Sequence, residues 1–198
     1  MIGPGAVAKP PADGYTFLLA PSATLNILPT LRTVPYDPVT SFTPVARVGD
    51  LISGFVVHPS VGVKTFAELL DYAKKNPGKL SYGSAGHGTS THMRVEMLNY
   101  RAKVDILHVP YRGSADALND LLAGNIQLMN EINPLPHVRA GKLILLNLNS
   151  PRRSAEWPGI PTLTELGYPN SDVPSWYSIQ APAGTPADIV QKFNAKGG

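Results

Sequence analysis

An α/β fold is the class this sequence predicts, and three observations predict it. Short apolar segments (Leu80–Tyr82, Ile106–Val109, Ile126–Met129) alternate with amphipathic ones (Ser90–Tyr100, Ser114–Leu122, Leu135–Ala140) through the middle of the chain. Strand then helix, repeated with short connections, is the pattern of a parallel sheet covered by helices. Helix ends are signalled where that pattern needs them, by the capping box Thr65-Phe-Ala-Glu68 and by the stops Asn76-Pro-Gly78, Gly124 and Gly141. A glycine-rich loop, Gly83–Gly88, joins one strand to one helix, a common site for ligand-binding loops in α/β sheets.

In chain order, the Pro/Gly-rich start leads to the turn signal Asp13-Gly14 and a buried strand over 15–20. Nothing before residue 15 offers that strand a neighbour or a cover. Residues 21–42 hold turn formers and a short apolar stretch, and two extended segments follow at 42–48 and 54–58. Phe66, Leu69, Leu70 and Ala73 give the helix after Thr65 its apolar face, and Met93, Met97 and Leu98 do so for the helix from Ser90. A strong strand is expected over 143–148. The tail is loop-rich until a strand at 177–181, and Gly184-Thr-Pro186 opens a last helix with Pro near its first position.

Composition narrows the function. The chain has 198 residues, 17 Lys+Arg against 14 Asp+Glu, and only 16% charged residues. That is well below the roughly 25% of an average domain, and the net +3 forms no basic stripe, so nucleic acid is not an expected partner. No apolar run approaches the roughly 18 residues of a membrane span. Zero cysteines exclude a disulfide scaffold, Cys-based catalysis and Cys-ligated zinc.

The stretch Tyr82-Gly-Ser-Ala-Gly-His-Gly-Thr-Ser-Thr-His92 carries most of the chemistry. Helix N-termini present N–H groups without intrahelical partners at the positive end of the dipole, and glycines and hydroxyls complete an anion cradle. Gly83 and Gly88 have P-loop spacing, but Thr89 stands where the phosphate-binding Lys belongs, and the G-x-G-x-x-G spacing is absent. A carboxylate needs no Lys and suits such neutral donors. The same residues are equally consistent with a capped helix behind a tight turn. Ser84 lies outside a G-x-S-x-G elbow. His87 and His92 are five apart, not the four that align zinc ligands on one helical face, so neither metal nor cofactor is expected. Glu131, after a strand, falls at the carboxyl end of the sheet as a single acid, and Trp176-Tyr177 can wall a pocket or simply fill a core.

Several phrases, taken together and in order, carry a resemblance: Pro11-Ala-Asp-Gly-Tyr-Thr-Phe-Leu-Leu19, Val34-Pro-Tyr-Asp-Pro38, Ser41-Phe-Thr-Pro-Val45, Tyr82-Gly-Ser-Ala-Gly-His-Gly-Thr89, Val109-Pro-Tyr-Arg-Gly113, Leu135-Pro-His-Val-Arg-Ala-Gly-Lys142, Pro158-Gly-Ile-Pro-Thr162 and Ala181-Pro-Ala-Gly-Thr-Pro186. The set resembles the Bug family, extracytoplasmic solute receptors of tripartite tricarboxylate transporters. The resemblance implies a two-lobe, periplasmic-binding-protein (Venus flytrap) α/β architecture, with 1–50 and 149–198 in a first lobe and 51–148 as the second. Family members carry an export signal and a strand, loop and helix ahead of the Asp-Gly-Tyr-Thr turn, so the first lobe is expected to be incomplete.

The resemblance further implies a small carboxylate ligand (a di- or tricarboxylate or an acidic amino acid), membrane permease components as partners, and a periplasmic location. Carried over by position, Ser84, Gly86, His87, Gly88, Thr89 and Ser90 line the site from the second lobe, and Ser22, Ala23 and Trp176 from the first. Glu131 falls where the family tends to show Asp. Two other readings stand beside this one. One is a hydrolase or transferase using the Gly83–Ser90 loop. The other is a non-binding remnant that self-associates through the open edge of its first strand.

Overall fold

The computed structural model describes residues 2–9, 11–171, 173 and 175–195. In chain order the elements are α1 (Ile2–Val7), β1 (Leu18–Pro21), α2 (Ser22–Asn26), α3 (Leu28–Leu31), β2 (Phe42–Asp50), β3 (Gly54–Val57), α4 (Phe66–Lys75), β4 (Leu80–Ser84), α5 (Ser90–Ala102), β5 (Ile106–Pro110), α6 (Ser114–Ala123), β6 (Leu128–Glu131), α7 (Leu135–Arg139), β7 (Ile144–Leu145), β8 (Trp176–Pro182) and α8 (Ala187–Asn194). None of the described helices is long and apolar enough to cross a membrane. The chain forms two compact units, Met1–Leu51 with Ser175–Gly198, and Ile52–Pro174.

The first unit is a three-stranded antiparallel sheet in the order β1-β8-β2. β1 alternates as a half-buried strand should, with Leu18 and Ala20 inward and Leu19 exposed. It is shorter than the expected 15–20 strand, and Tyr15 is exposed. It also has the cover that the sequence does not reveal. Val7, on a Gly/Pro-rich helix of poor intrinsic propensity, joins Leu18, Ala20, Tyr36 and Phe42 in one cluster. Tertiary packing overrides local preference there. At the other end, α8 is anchored by Asn194 Nδ2, which donates to the Val45 carbonyl at 2.6 Å, and by the Phe17–Phe193 ring contact.

The second unit is a five-stranded sheet in the order β5-β4-β6-β3-β7. β4 pairs parallel with β5 and with β6, whereas β3 runs antiparallel to β6 and β7. The sheet is therefore mixed, not wholly parallel as the alternation suggests. Side chains alternate between two faces. Phe55, Tyr82 and Leu128 pack under α4 and α5, while Val56 and Met129 pack under α6 and α7 with Ala117, Leu121 and Leu135. α4 is capped as expected: Thr65 Oγ1 accepts from the Glu68 amide, while the Glu68 carboxylate accepts from the Lys64 amide.

Two differences from the sequence reading have clear causes. The expected strand over 143–148 pairs regularly only at Ile144–Leu145. Beyond it the Asn147 side chain, not a backbone carbonyl, accepts the Phe55 amide, and Asn147, Asn149, Asn130 and Ser53 form a buried polar chain. Residues 149–174, expected in the first lobe, belong to the second unit. Leu148 bridges to Thr162, Leu163 enters the α4/α5 core, and Trp157 packs on the α6/α7 core.

Gly54 sits where β3 passes Asn147, and a Cβ there would collide with the Asn147 carbonyl oxygen. Gly54→Ala is expected to cost about 3 kcal/mol through forced backbone displacement. A chemical-denaturation midpoint equal to that of the unsubstituted chain would contradict this packing.

Candidate functional site

The chain leaves β4 for α5 on one face of the sheet, and leaves β5 and β6 for α6 and α7 on the other. Where neighbouring strands send their connections to opposite faces, a crevice opens at their carboxyl ends. The loop 85–89 lies at that end of β4, with Tyr111 just after β5 and Glu131 as the last residue of β6. The Tyr111 amide donates to the Ser84 carbonyl at 3.0 Å, which ties the β5–α6 turn to the root of the loop.

The three glycines of the loop have different causes. Gly83 is a packing requirement, since a Cβ there would lie 2.5 Å from Ile126 Cδ1 and 3.0 Å from Ala117 Cβ. Gly86 and Gly88 adopt φ of 115° and 75°, the left-handed region that favours glycine. Between them the loop folds on itself. Thr89 Oγ1 donates to the Gly86 carbonyl at 2.7 Å and, as N-cap of α5, accepts from the His92 amide. Thr91 Oγ1 accepts from the Ala85 amide, and Ser84 Oγ accepts from the Gly86 amide. The amides of Gly88 and Thr89 make long bonds, 3.3 Å to His92 Nδ1 and 3.4 Å to the Gly86 carbonyl. No Lys or Arg lies between 82 and 92. The loop thus offers neutral, weakly committed donors at a helix start, which is what an anion of low charge requires.

Two buried polar groups near the strand ends have no hydrogen-bond partner, Glu131 Oε2 and Asn130 Nδ2. Burial pushes the Glu131 carboxyl up from its ordinary range, against the opposing pull of the Ser114 hydroxyl and the Arg94 charge. Such orphans mark places where a water or a ligand group completes the bonding.

Ser84 and His108 make the closest contact of the site, with Oγ 2.6 Å from Nε2. The sequence gives no hint of the pair, because His108 lies on the neighbouring strand. The parallel register sets Tyr82 opposite His108, and the two rings stack at 4.8 Å. The arrangement resembles a nucleophile and its base, but it lacks what catalysis needs. Ser84 is fully buried at 0% exposure and is also bonded to Gly86. Burial first, then the neighbouring His92 and His87, push the His108 imidazole down to about 4, too low for a general base at neutral pH. His92 is lowered by the same desolvation. The pair braces the loop.

Of the residues expected from sequence to line the site, Ser84, Gly86, His87, Gly88, Thr89, Ser90 and Glu131 all gather at the carboxyl end of the second unit's sheet. Ser22, Ala23 and Trp176 gather separately in the first unit. There the Trp176 amide donates to Ser22 Oγ at 3.5 Å, and the Arg47 guanidinium lies 5.8 Å from the Trp176 ring centre. Trp176 and Arg47 also line a shallow depression of about 430 Å³ with Ser178, Gln180 and Asn194.

A depressed imidazole keeps its fold-supporting neutral form while the unfolded chain takes up protons. Stability from His108 is therefore full above about pH 6.5 and lost as pH falls toward about 4. In chelator-treated protein the His108 ring resonances are expected to titrate with a midpoint near 4. A midpoint near 6.5 would contradict the desolvation of His108.

The comparisons with known proteins agree with this architecture. The profile of the "Tripartite tricarboxylate transporter family receptor" matches residues 1–196. Protein BugT of Bordetella pertussis is 34% identical over 201 residues, covering 98% of this chain and 61% of BugT. The structure of R. palustris Rpa4515 with adipate superposes with a TM-score of 0.91 at 34% identity, covering 99% of this chain and 67% of the other. That of MatC from Rhodopseudomonas palustris with bound malate gives 0.87 at 28% identity, covering 99% and 68%. The chain spans about three fifths of the length of the curated relatives it matches. With an α/β fold shared along nearly all of its length and a profile matching almost every residue, this chain belongs to the tripartite tricarboxylate transporter receptor family.

Proposed function

We propose that this chain is the solute-gripping part of a receptor for a small carboxylate, a di- or tricarboxylate or an acidic amino acid. It would act in the periplasm and present its ligand to the membrane components of a tripartite transporter. The observation that carries this reading is the loop at the start of α5, a nest of neutral donors with no Lys or Arg between 82 and 92. One carboxylate, with a single charge and two acceptor oxygens, replaces the long bonds now made by Gly88 and Thr89 at little cost. Gly88, Thr89 and Ser90 would touch the ligand, while Ser84 and Gly86 hold the shape of the loop. Glu131, whose raised carboxyl lacks a partner on one oxygen, suits a bridging water or the ammonium of an amino acid. The relatives solved with adipate and with malate carry ligands of the proposed class.

Binding without chemistry fits the braced, buried Ser84 better than ester or phosphate turnover does. Calorimetric titration with malate, adipate, citrate and glutamate tests both readings in parallel with ester-hydrolysis assays. Saturable heat with at least one carboxylate is expected. Thr89→Val keeps the amide but removes the hydroxyl that ties the loop to the Gly86 carbonyl and caps α5, so it should weaken that binding about 10-fold through loss of the loop's shape and lower stability by about 1 kcal/mol. Absence of heat with every carboxylate, or ester turnover that Ser84→Ala abolishes, would overturn the receptor reading.

A further inference from the structure

Three imidazoles, those of His87, His92 and His108, converge on the α5 face of the second unit's sheet. Each offers one nitrogen, and the three nitrogens lie within 4.8 Å of one another. The ring centres are 5.4 Å apart for His87 and His92, 4.8 Å for His87 and His108, and 4.1 Å for His92 and His108. They come from three structural contexts: the exposed tip of the loop, the first turn of α5 and the middle of β5. Neither the five-residue spacing of the first pair nor the distance in sequence to His108 reveals the group.

We propose that His87, His92 and His108 form a binding site for a divalent transition-metal ion of the zinc class. This goes beyond the receptor reading and does not rest on it. Neutral imidazole nitrogens that face each other across a small gap repel through their lone pairs unless a cation or proton stands between them. A tri-imidazole set without carboxylate or thiolate selects zinc and its borderline neighbours over magnesium or calcium. It leaves a fourth position for water or an exogenous anion.

The surroundings already orient two of the rings. Ser84 Oγ holds His108 at Nε2, and the Gly88 amide donates to His92 Nδ1 at 3.3 Å. In neutral His92 that bond places the ring proton on Nε2; a metal at Nε2 takes the other neutral tautomer, with the proton on Nδ1 and the long Gly88 contact given up. Glu96, one helical turn beyond His92, adds negative charge beside it while accepting from the Tyr82 hydroxyl at 2.7 Å. A hydroxyl that accepts from the second ring nitrogen, as Ser84 Oγ can from His108 Nε2, is the kind of support that fixes a metal-binding imidazole. Tetrahedral zinc places its nitrogens about 3.4 Å apart, so the cluster must contract by roughly an ångström. His87 supplies that movement, being exposed and flanked by Gly86 and Gly88 in the left-handed region.

The test is titration of the chelator-treated 198-residue chain with Zn²⁺ alone, by competition with a metal-binding dye. One ion per chain with a Kd at or below about 10 µM is expected. His87→Ala, which alters only an exposed side chain, should weaken binding at least about 10-fold, and His92→Gln should do so as well. Co²⁺ should give the visible absorption of a four-coordinate site, lost in His87→Ala. His58→Ala and His137→Ala should change nothing. No stoichiometric uptake, or affinity that is unchanged in His87→Ala, would overturn the site. So would affinity lost in the His58 or His137 variants.

Discussion

The parallel pairing of β4 with a strand on each side is the constraint from which the candidate site follows. β4 is the central partner of β5 and β6, and its neighbours send their connections to the opposite face. That divergence opens the crevice at the carboxyl ends. The same pairing fixes the register Tyr82 to His108, which stacks the two rings and delivers His108 Nε2 to the Ser84 hydroxyl. A shift of one residue would turn His108 to the α6 face, remove the brace from the loop and scatter the three imidazoles.

Close packing around β4 is what makes that register hold. Gly83 lets Ala117 of α6 and Ile126 come down onto the strand, and a side chain there would separate the layers. On the other face Tyr82 is fully buried against α5, its hydroxyl satisfied by Glu96. At the far side of the sheet, β3 is joined to the segment after β7 by the Asn147 side chain, and the buried Asn130–Asn149 contact links β6 to the same network. Buried polar groups bonded to one another in this way favour one arrangement, because breaking such a bond strands its partner without water. Asn130 Nδ2 is the member left over, next to the orphan oxygen of Glu131.

Much of the second unit is legible in the sequence, because its helices carry caps and stops and its strands carry apolar runs. Thr65 with Glu68, Gly124 after α6 and Gly141 after α7 all act where the sequence places them. The loop 83–90 is legible too, as a helix-start donor nest. What escapes is whatever depends on distant partners. α1 forms from Gly and Pro residues only because Val7 joins a remote cluster. The 143–148 segment loses regular pairing because a side chain at 147 takes an amide at 55. The tail 149–174 joins the second unit through Leu148, Trp157 and Leu163, apolar residues with no periodicity to announce them. Gly83 reads as a ligand-facing glycine but is a packing one, and His108 is invisible until the strand register is known.

In the proposed function the amides at the start of α5 form the anion seat. Backbone-amide NMR during titration with malate or adipate tests it most directly, since it reports each N–H separately. Saturating shifts are expected at Gly86–Thr91 and at Glu131, while amides of the antiparallel β3–β7 edge stay in place. Saturable binding that leaves the 86–91 amides unmoved would contradict it.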